Sequence, residues 1–353
     1  MEADAAIKPS LRGHDAVTRK LVGALASGRM HHAWLLTGPS GIGKASIARL
    51  AAAWLLADSA NESGLFGEPP LDFGFSDGDV GANLVMNGAH PDFLLITPAA
   101  EANKSGQIKI EQIRELIPFM AHKPARGGWR VAVIDSMDEI NRNGANAMLK
   151  MLEEPPEKAV IFLISSRPGQ LPPTIRSRCR VIRMSPLSDN ICRHVLAEIW
   201  PDADNTHLDL LVRLCGGAPG RAVHLVESGA ADCYQVACNL LTESHLDINA
   251  VSKLANKWGK GGAEGRLTRA GAVFCLERLL QKAALAASGS DDQLLCDFEV
   301  IVIQALCQRH SAVTLAEMHQ QFLHDSSRAE AVYLDFAQFL SRQLAKLHEK
   351  TLP

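Results

Sequence analysis

The run Gly38-Pro39-Ser40-Gly41-Ile42-Gly43-Lys44 carries the residue types that hold phosphate. Glycines let a backbone close around phosphate oxygens, and a helix starting just after them aims N–H groups at the anion. Lys44 would reach the outer phosphates as a point charge. The next residue is Ala45, where this motif calls for a Ser or Thr hydroxyl on Mg²⁺. Ser46 is a poor substitute, because one further helical step turns it by about 100°. The loop is therefore expected to be able to hold a nucleotide, with a damaged magnesium site. A second group is the apolar run Val131 to Ile134 ending in Asp135. A carboxylate there, beside a phosphate loop, helps hold Mg²⁺ through water; alternatively it merely starts a turn. Hydrolysis also needs a base beside that acid, and the position holds Ser136. Asp138 and Glu139 follow where the chain turns toward a helix, and they are expected to cap it.

Arginines form the third group. Asn141 to Pro156 reads as a helix stopped by Pro155 and Pro156. Glu153 and Glu154 sit at its negative end, which the macrodipole disfavours. The spacing leaves two readings open, a solvated helix end or acids kept for an outside partner. A strand over Val160 to Ser166 follows, and then Leu171-Pro172-Pro173-Thr174-Ile175-Arg176-Ser177-Arg178-Cys179-Arg180. Cys179 is the first of eight cysteines. The others show no paired metal-ligand spacing and read as free thiols in apolar helical runs. Lys257 to Arg266, with its Gly-Lys-Gly-Gly, lacks a preceding strand and reads as a linker between helices.

Short Val/Ile/Leu-rich runs at Ala33–Leu36, Phe93–Ile96, Val131–Ile134, Val160–Ile164 and Val181–Met184 must position these groups. They alternate with helical patterns at Lys44–Ala57, Ile110–Met120 and Asn141–Glu154. That alternation predicts an α/β domain built on a covered, mostly parallel sheet. Asn61 to Asp92 breaks the rhythm and reads as a long loop. Beyond Pro186 the strand signals stop. A small helical group runs to about residue 230, and an all-helical region follows, ending in a long amphipathic helix over Arg328–Lys350. The expected division is 1–187, 188–230 and 231–353. At 353 residues the chain is long enough for several domains. Its 36 basic against 39 acidic residues give a net charge of −3, without the broad basic field of a stand-alone nucleic-acid binder. Met1–Ser10 is polar, and the longest apolar run, Leu50–Ala57, is too short to cross a bilayer. A cytoplasmic chain with reduced thiols, and no membrane partner, is expected.

Asn146-Ala-Met-Leu-Lys-Met-Leu-Glu-Glu-Pro-Pro156, followed by Leu-Pro-Pro-Thr-Ile-Arg-Ser-Arg-Cys179, strongly resembles the AAA+ subunits of bacterial DNA polymerase III clamp loaders. His31-His32-Ala33 before the phosphate loop and Gly216-Gly-Ala-Pro-Gly-Arg221 after the sheet extend the match over roughly residues 10 to 228. The resemblance implies an AAA+ P-loop core, a helical lid and a C-terminal collar that holds the subunit in an oligomeric ring. It makes Ser177-Arg178-Cys179 the arginine-finger motif, with Arg178 acting on ATP held by a neighbouring subunit. Arg221 becomes the lid arginine that senses nucleotide in cis. Ser165 or Ser166 becomes the polar sensor at the strand end. Gly38, Gly41, Gly43, Lys44 and Asp135 become a nucleotide site that has lost two hydrolytic groups, at Ala45 and Ser136.

A chain that lacks those groups yet keeps the finger has the profile of the family's non-hydrolysing, stationary member. No autonomous catalysis is expected of it, no cofactor is required, and ATP or ADP binding stays open. The implied partners are the gamma/tau ATPase subunits, the delta subunit, the sliding clamp and, through the assembly, primed DNA. The alternative is a working gamma/tau-like ATPase; a third reading is a loader-like scaffold outside replication. One departure concerns metal. Family members commonly carry a four-cysteine zinc module between the phosphate loop and the acidic strand. Here Asn61–Asp92 has no cysteine and a single histidine, His90, which cannot make a tetrahedral site. No zinc is expected.

Overall fold

The structure, a computed structural model, describes residues 12–27, 29–58, 73–76, 78–98, 108–125, 128–259, 265–290, 295–331 and 335–349. The chain divides into two compact units, one of residues 1–202 with 217–220, the other of 203–216 with 221–353.

The first unit opens with α1 (Asp15–Ala26), β1 (Ala33–Thr37), α2 (Lys44–Leu55), α3 (Val80–Met86) and β2 (Phe93–Ile96). It continues with α4 (Ile110–Ala121), β3 (Arg130–Asp135), α5 (Arg142–Glu153), β4 (Ala159–Ser165), α6 (Pro173–Arg176), β5 (Arg180–Arg183) and α7 (Asp189–Ile199). The five strands form one parallel sheet in the order β2-β3-β4-β1-β5. Side chains alternate between its faces, so β1, β3 and β4 each feed two cores, while the edge strand β5 buries only Ile182. Trp34 and Leu36, Val131 and Val133, and Val160, Phe162 and Ile164 pack on one side with Ile47, Ala48 and Ala51 of α2. Ala33 and Leu35, Ala132 and Ile134, and Ile161 and Leu163 pack on the other with Ile113 and Leu116 of α4 and Met148 and Leu152 of α5. Burial on both faces is why β1, β3 and β4 read as continuous apolar runs.

All five predicted strands form, within a residue or so of their expected ends. The Asn61–Asp92 loop was expected to be irregular, yet it contains α3. Asp79 caps that helix by accepting from the Ala82 N–H at 2.9 Å, and Gly81 sits so close to α2 that an added Cβ would lie 2.3 Å from the Leu56 carbonyl oxygen. Residues 61–72 and 77 of that loop lie outside the described residues, as do 260–264 of the predicted linker.

The second unit is helical among its described residues: α8 (Asn205–Cys215), α9 (Pro219–Glu227, whose first two residues belong to the first unit), α10 (Ala230–Thr242), α11 (Ile248–Trp258), α12 (Gly265–Ala287), α13 (Asp297–Arg309), α14 (Ala312–Ala331) and α15 (Phe336–His348). Its core gathers Tyr234, Cys238, Trp258, Leu276, Leu279, Phe322 and Leu340. The long helix expected over Arg328–Lys350 is instead two elements. Arg328 lies in the last turn of α14, and α15 begins at a new cap, where Asp335 accepts from the Ala337 N–H at 3.0 Å. An aspartate aimed at free N–H groups starts a helix better than it continues one.

Within this core, Glu299 is fully buried and holds four bonds. It accepts from Arg278 Nε at 2.7 Å and Nη2 at 3.0 Å, from the Tyr234 hydroxyl at 2.7 Å and from the Cys296 N–H at 2.8 Å. All eight cysteines are free thiols, six of them buried and Cys179 and Cys307 partly so. No described helix is long and apolar enough to cross a membrane.

Candidate nucleotide-type site and arginine loop

Parallel strands put all their carboxyl ends at one edge of the sheet. Thr37 of β1 is opposite Ser165 of β4, and Asp135 of β3 is opposite Ile164. The phosphate loop leaving β1, the acid ending β3 and the serines ending β4 therefore meet at that edge, where open α/β sheets bind ligands. The loop takes the backbone shape its glycines permit, with Gly38, Gly41 and Gly43 at φ +148°, +82° and +96°. A Cβ on Gly38 would lie 2.3 Å from the Met184 carbonyl oxygen. Gly38→Ala is therefore expected to destabilise by on the order of 2 kcal/mol and to melt several degrees lower. Gly169→Ala, where an added methyl meets open space, should change thermal unfolding little.

Lys44 opens α2 and is buried. Its ammonium donates to the carbonyl oxygens of Gly38 at 2.7 Å and Pro39 at 2.6 Å and to Ser166 Oγ at 2.9 Å. Asp135 faces the same place. Burial pushes its carboxyl up, opposed by the Ser136 hydroxyl, which donates at 3.1 Å, and by the Lys44 charge. The cradle thus fits the outer phosphates of a nucleotide. Ala45 offers a magnesium ion no oxygen, and the neighbour of Asp135 is a hydroxyl already bonded to it.

Asp138 does not cap α5, contrary to expectation. It accepts from Ser165 Oγ and from the Ser166 N–H, each at 2.6 Å, and so pins the end of β4 beside Lys44. Asn141 caps the helix, accepting from the Gly144 N–H at 2.8 Å. Glu139 instead pairs with Arg167 at 3.3 Å. Two supports of the loop had no local sequence signal. His14 Nε2 donates to the Ile42 carbonyl at 2.6 Å, and burial lowers its affinity for a second proton. Gly220 N–H donates to the Gly41 carbonyl at 2.9 Å.

The arginine loop lies at the other end of the sheet. β5 runs parallel to β1 with Arg180 opposite Trp34, so Arg178 sits beyond the amino end of the strands, beside His31 and His32. The length of β1 separates it from the phosphate loop by on the order of 15 Å. Arg178 Nη1 donates to the Thr174 carbonyl at 2.9 Å, and Nη2 pairs with Glu153 at 2.6 Å. The Arg178 side chain is 34 % exposed and borders an open cleft of about 530 Å³ with His31, His32, Glu153, Ser177 and Arg180. To the two readings of Glu153, a solvated helix end or an acid kept for an outside partner, the structure adds a pairing within the chain, with Arg178. Burial pushes the Cys179 thiol up to about 12, so it stays protonated and serves packing rather than nucleophilic chemistry. Arg221 belongs to the second unit, where its guanidinium lies 4.4 Å from the Phe274 ring centroid and donates to the Cys215 carbonyl at 2.9 Å.

Residues 13–188 match the family model described as DNA polymerase III, delta subunit. The chain is 35% identical over 228 residues to DNA polymerase III subunit delta' of Pseudomonas aeruginosa, across 64% of this chain and 65% of that protein. The chain belongs to the clamp-loader AAA+ family. The Escherichia coli K12 subunit tau is 34% identical over 224 residues, 62% of this chain and 32% of that protein. A Yersinia pestis subunit delta' is 27% identical over 314 residues, 88% of this chain and 86% of that protein. The chain thus spans less than two thirds of the length of the first two relatives. Its sheet with a phosphate loop, followed by helices, is the α/β AAA+ architecture with a helical C-terminal part.

Proposed function

We propose that the chain is the delta prime subunit of a DNA polymerase III clamp loader: a stationary subunit that hydrolyses no ATP itself and lends Arg178 to the nucleotide site of a neighbouring motor subunit. The position of Arg178 carries this reading. A guanidinium at the amino end of the strands cannot reach phosphates bound at their carboxyl ends, so any finger role must be in trans. Its planar fork suits the spread charge of a phosphoryl group in transfer. The chain's own site supports the same reading, with a cradle in Gly38, Gly41, Gly43 and Lys44 but neither a magnesium hydroxyl nor a base beside Asp135. Ser165, held by Asp138, is the polar sensor in this reading, and Arg221 the lid arginine.

The subunit works with gamma/tau and delta subunits in the cytoplasm to open the sliding clamp and place it on primed DNA. Residues 1–187 act as the core, 188–230 as the lid and 231–353 as the collar. The likeness to tau favours one competing reading, an active motor subunit.

Co-assembly tests the proposal. Mixed with gamma or tau and delta subunits, the chain should elute in one complex that loads the clamp on primed DNA; elution apart from them would favour a scaffold outside replication. Because Ala45 offers Mg²⁺ no ligand, the ion should change any ATP or ADP affinity, read by calorimetry, by less than about threefold. A 1.4 kcal/mol gain, tenfold in affinity, would mean a working magnesium site.

A further inference from the structure

Glu153 ends α5 at its unfavourable pole and would be better placed almost anywhere else on the helix. Its position is explained by Arg178, 25 residues further along the chain. The carboxylate holds Nη2 at 2.6 Å while the Thr174 carbonyl holds Nη1 at 2.9 Å. Two anchors on two different nitrogens fix both the position and the plane of the guanidinium, leaving its remaining N–H groups for the open cleft. An arginine side chain has many rotamers, and immobilising it beforehand removes that cost from the step in which it acts. Thr174 contributes through its backbone in the short α6, so Glu153 is the only side chain in this two-point anchor.

We propose that Glu153 is a positioning residue for the trans arginine finger, orienting Arg178 toward the nucleotide of the adjoining subunit by accepting a hydrogen bond at a fixed reach. The proposal rests on the trans-finger reading of Arg178. It assigns the carboxylate a geometric task. The charge of Glu153 opposes the attraction of Arg178 for phosphate, so the bond, and not the charge, is the useful part. This makes the ranking of substitutions specific. Glutamine keeps the length and an accepting oxygen. Aspartate keeps the charge but is one methylene short of Nη2, and alanine has neither.

The test is ATP turnover by the loader reconstituted with its motor and delta subunits, clamp and primed DNA, with assembly checked by gel filtration. Glu153→Ala and Glu153→Asp should each lower kcat by about fivefold or more, since misplacing a catalytic group by about 1 Å can cost 10²-fold. KM for ATP should move less than about twofold, and Glu153→Gln should stay within about twofold of the unsubstituted complex in both. Arg178→Ala in the same assay separates the finger itself from its positioning by Glu153. If it lowers kcat while all three Glu153 variants match the unsubstituted complex, Glu153 is not a positioning residue. If Asp rescues and Gln does not, charge matters rather than reach, and the proposal is overturned. If Arg178→Ala itself leaves kcat unchanged, the finger reading fails before Glu153 is at issue.

Discussion

On the proposed trans-finger role, Arg178→Ala is expected to lower ATP turnover at a neighbouring motor site by about 10²-fold or more, without changing the subunit's own melting temperature or its assembly. Arginine fingers contribute about 10³–10⁵ to phosphoryl transfer, and the lower figure allows for one finger among several sites in a ring. The side chain is partly exposed and makes one ion pair, and exposed pairs contribute little to stability. Fold and function should therefore separate cleanly at this residue. Arg178→Lys should recover little of the loss. An ammonium keeps the charge but cannot present a planar fork to two phosphoryl oxygens, nor hold Thr174 and Glu153 on separate nitrogens as the guanidinium does. The check is steady-state turnover of the reconstituted loader, stimulated by clamp and primed DNA, with thermal unfolding of the isolated variant beside it.

The second large effect lies in the helical unit and concerns stability. Glu299→Ala should destabilise the chain by about 3–5 kcal/mol, because it breaks a buried ion pair with Arg278 and leaves the Tyr234 hydroxyl without its acceptor. Glu299→Gln should cost less, since an amide oxygen can still accept some of those bonds. The pair also predicts a direction with pH. Burial alone would raise the Glu299 carboxyl, but the Arg278 bonds and charge, the Cys296 N–H and the Tyr234 hydroxyl outweigh it and hold the group below its ordinary value of 4.5. A carboxyl depressed on folding contributes stability that is fully present above its unfolded value. That stability is lost as pH falls through the lower, folded value. Denaturant melts between pH 7 and pH 3 should show Glu299→Gln losing less stability on acidification than the unsubstituted protein.

Local chemistry was legible in the sequence, and tertiary pairing was not. The phosphate loop could be read because its glycines and Lys44 are contiguous and because β1 and α2 flank it. The central strands β1, β3 and β4 could be read because burial on both faces makes each a short apolar run. Asp138 was misread for the opposite reason. An acid just before a helix has a plausible local job, and only the register of β3 against β4 brings Ser165 and Ser166 to it. Glu153 broke a helix rule, which was a true signal, but its partner lay 25 residues away behind a strand and five prolines. His14 and Gly220 support the phosphate loop from distant segments, and no spacing rule reaches them. The Arg328–Lys350 helix was drawn too long because amphipathic periodicity continues across the join between α14 and α15, while the capping role of Asp335 is visible only in its bonds. What the sequence did carry for the arginine loop was its motif. The end of the sheet at which that loop sits came from the strand register, and it is this that supports the proposed role of Arg178 in trans.

The most direct test of the proposed role, giving an arginine but spending no nucleotide, is ATP turnover by the purified chain alone, with and without Mg²⁺. The expected result is phosphate release indistinguishable from buffer under both conditions, unchanged by Lys44→Ala. Magnesium-dependent turnover that Lys44→Ala abolishes would contradict the account and make the chain a motor.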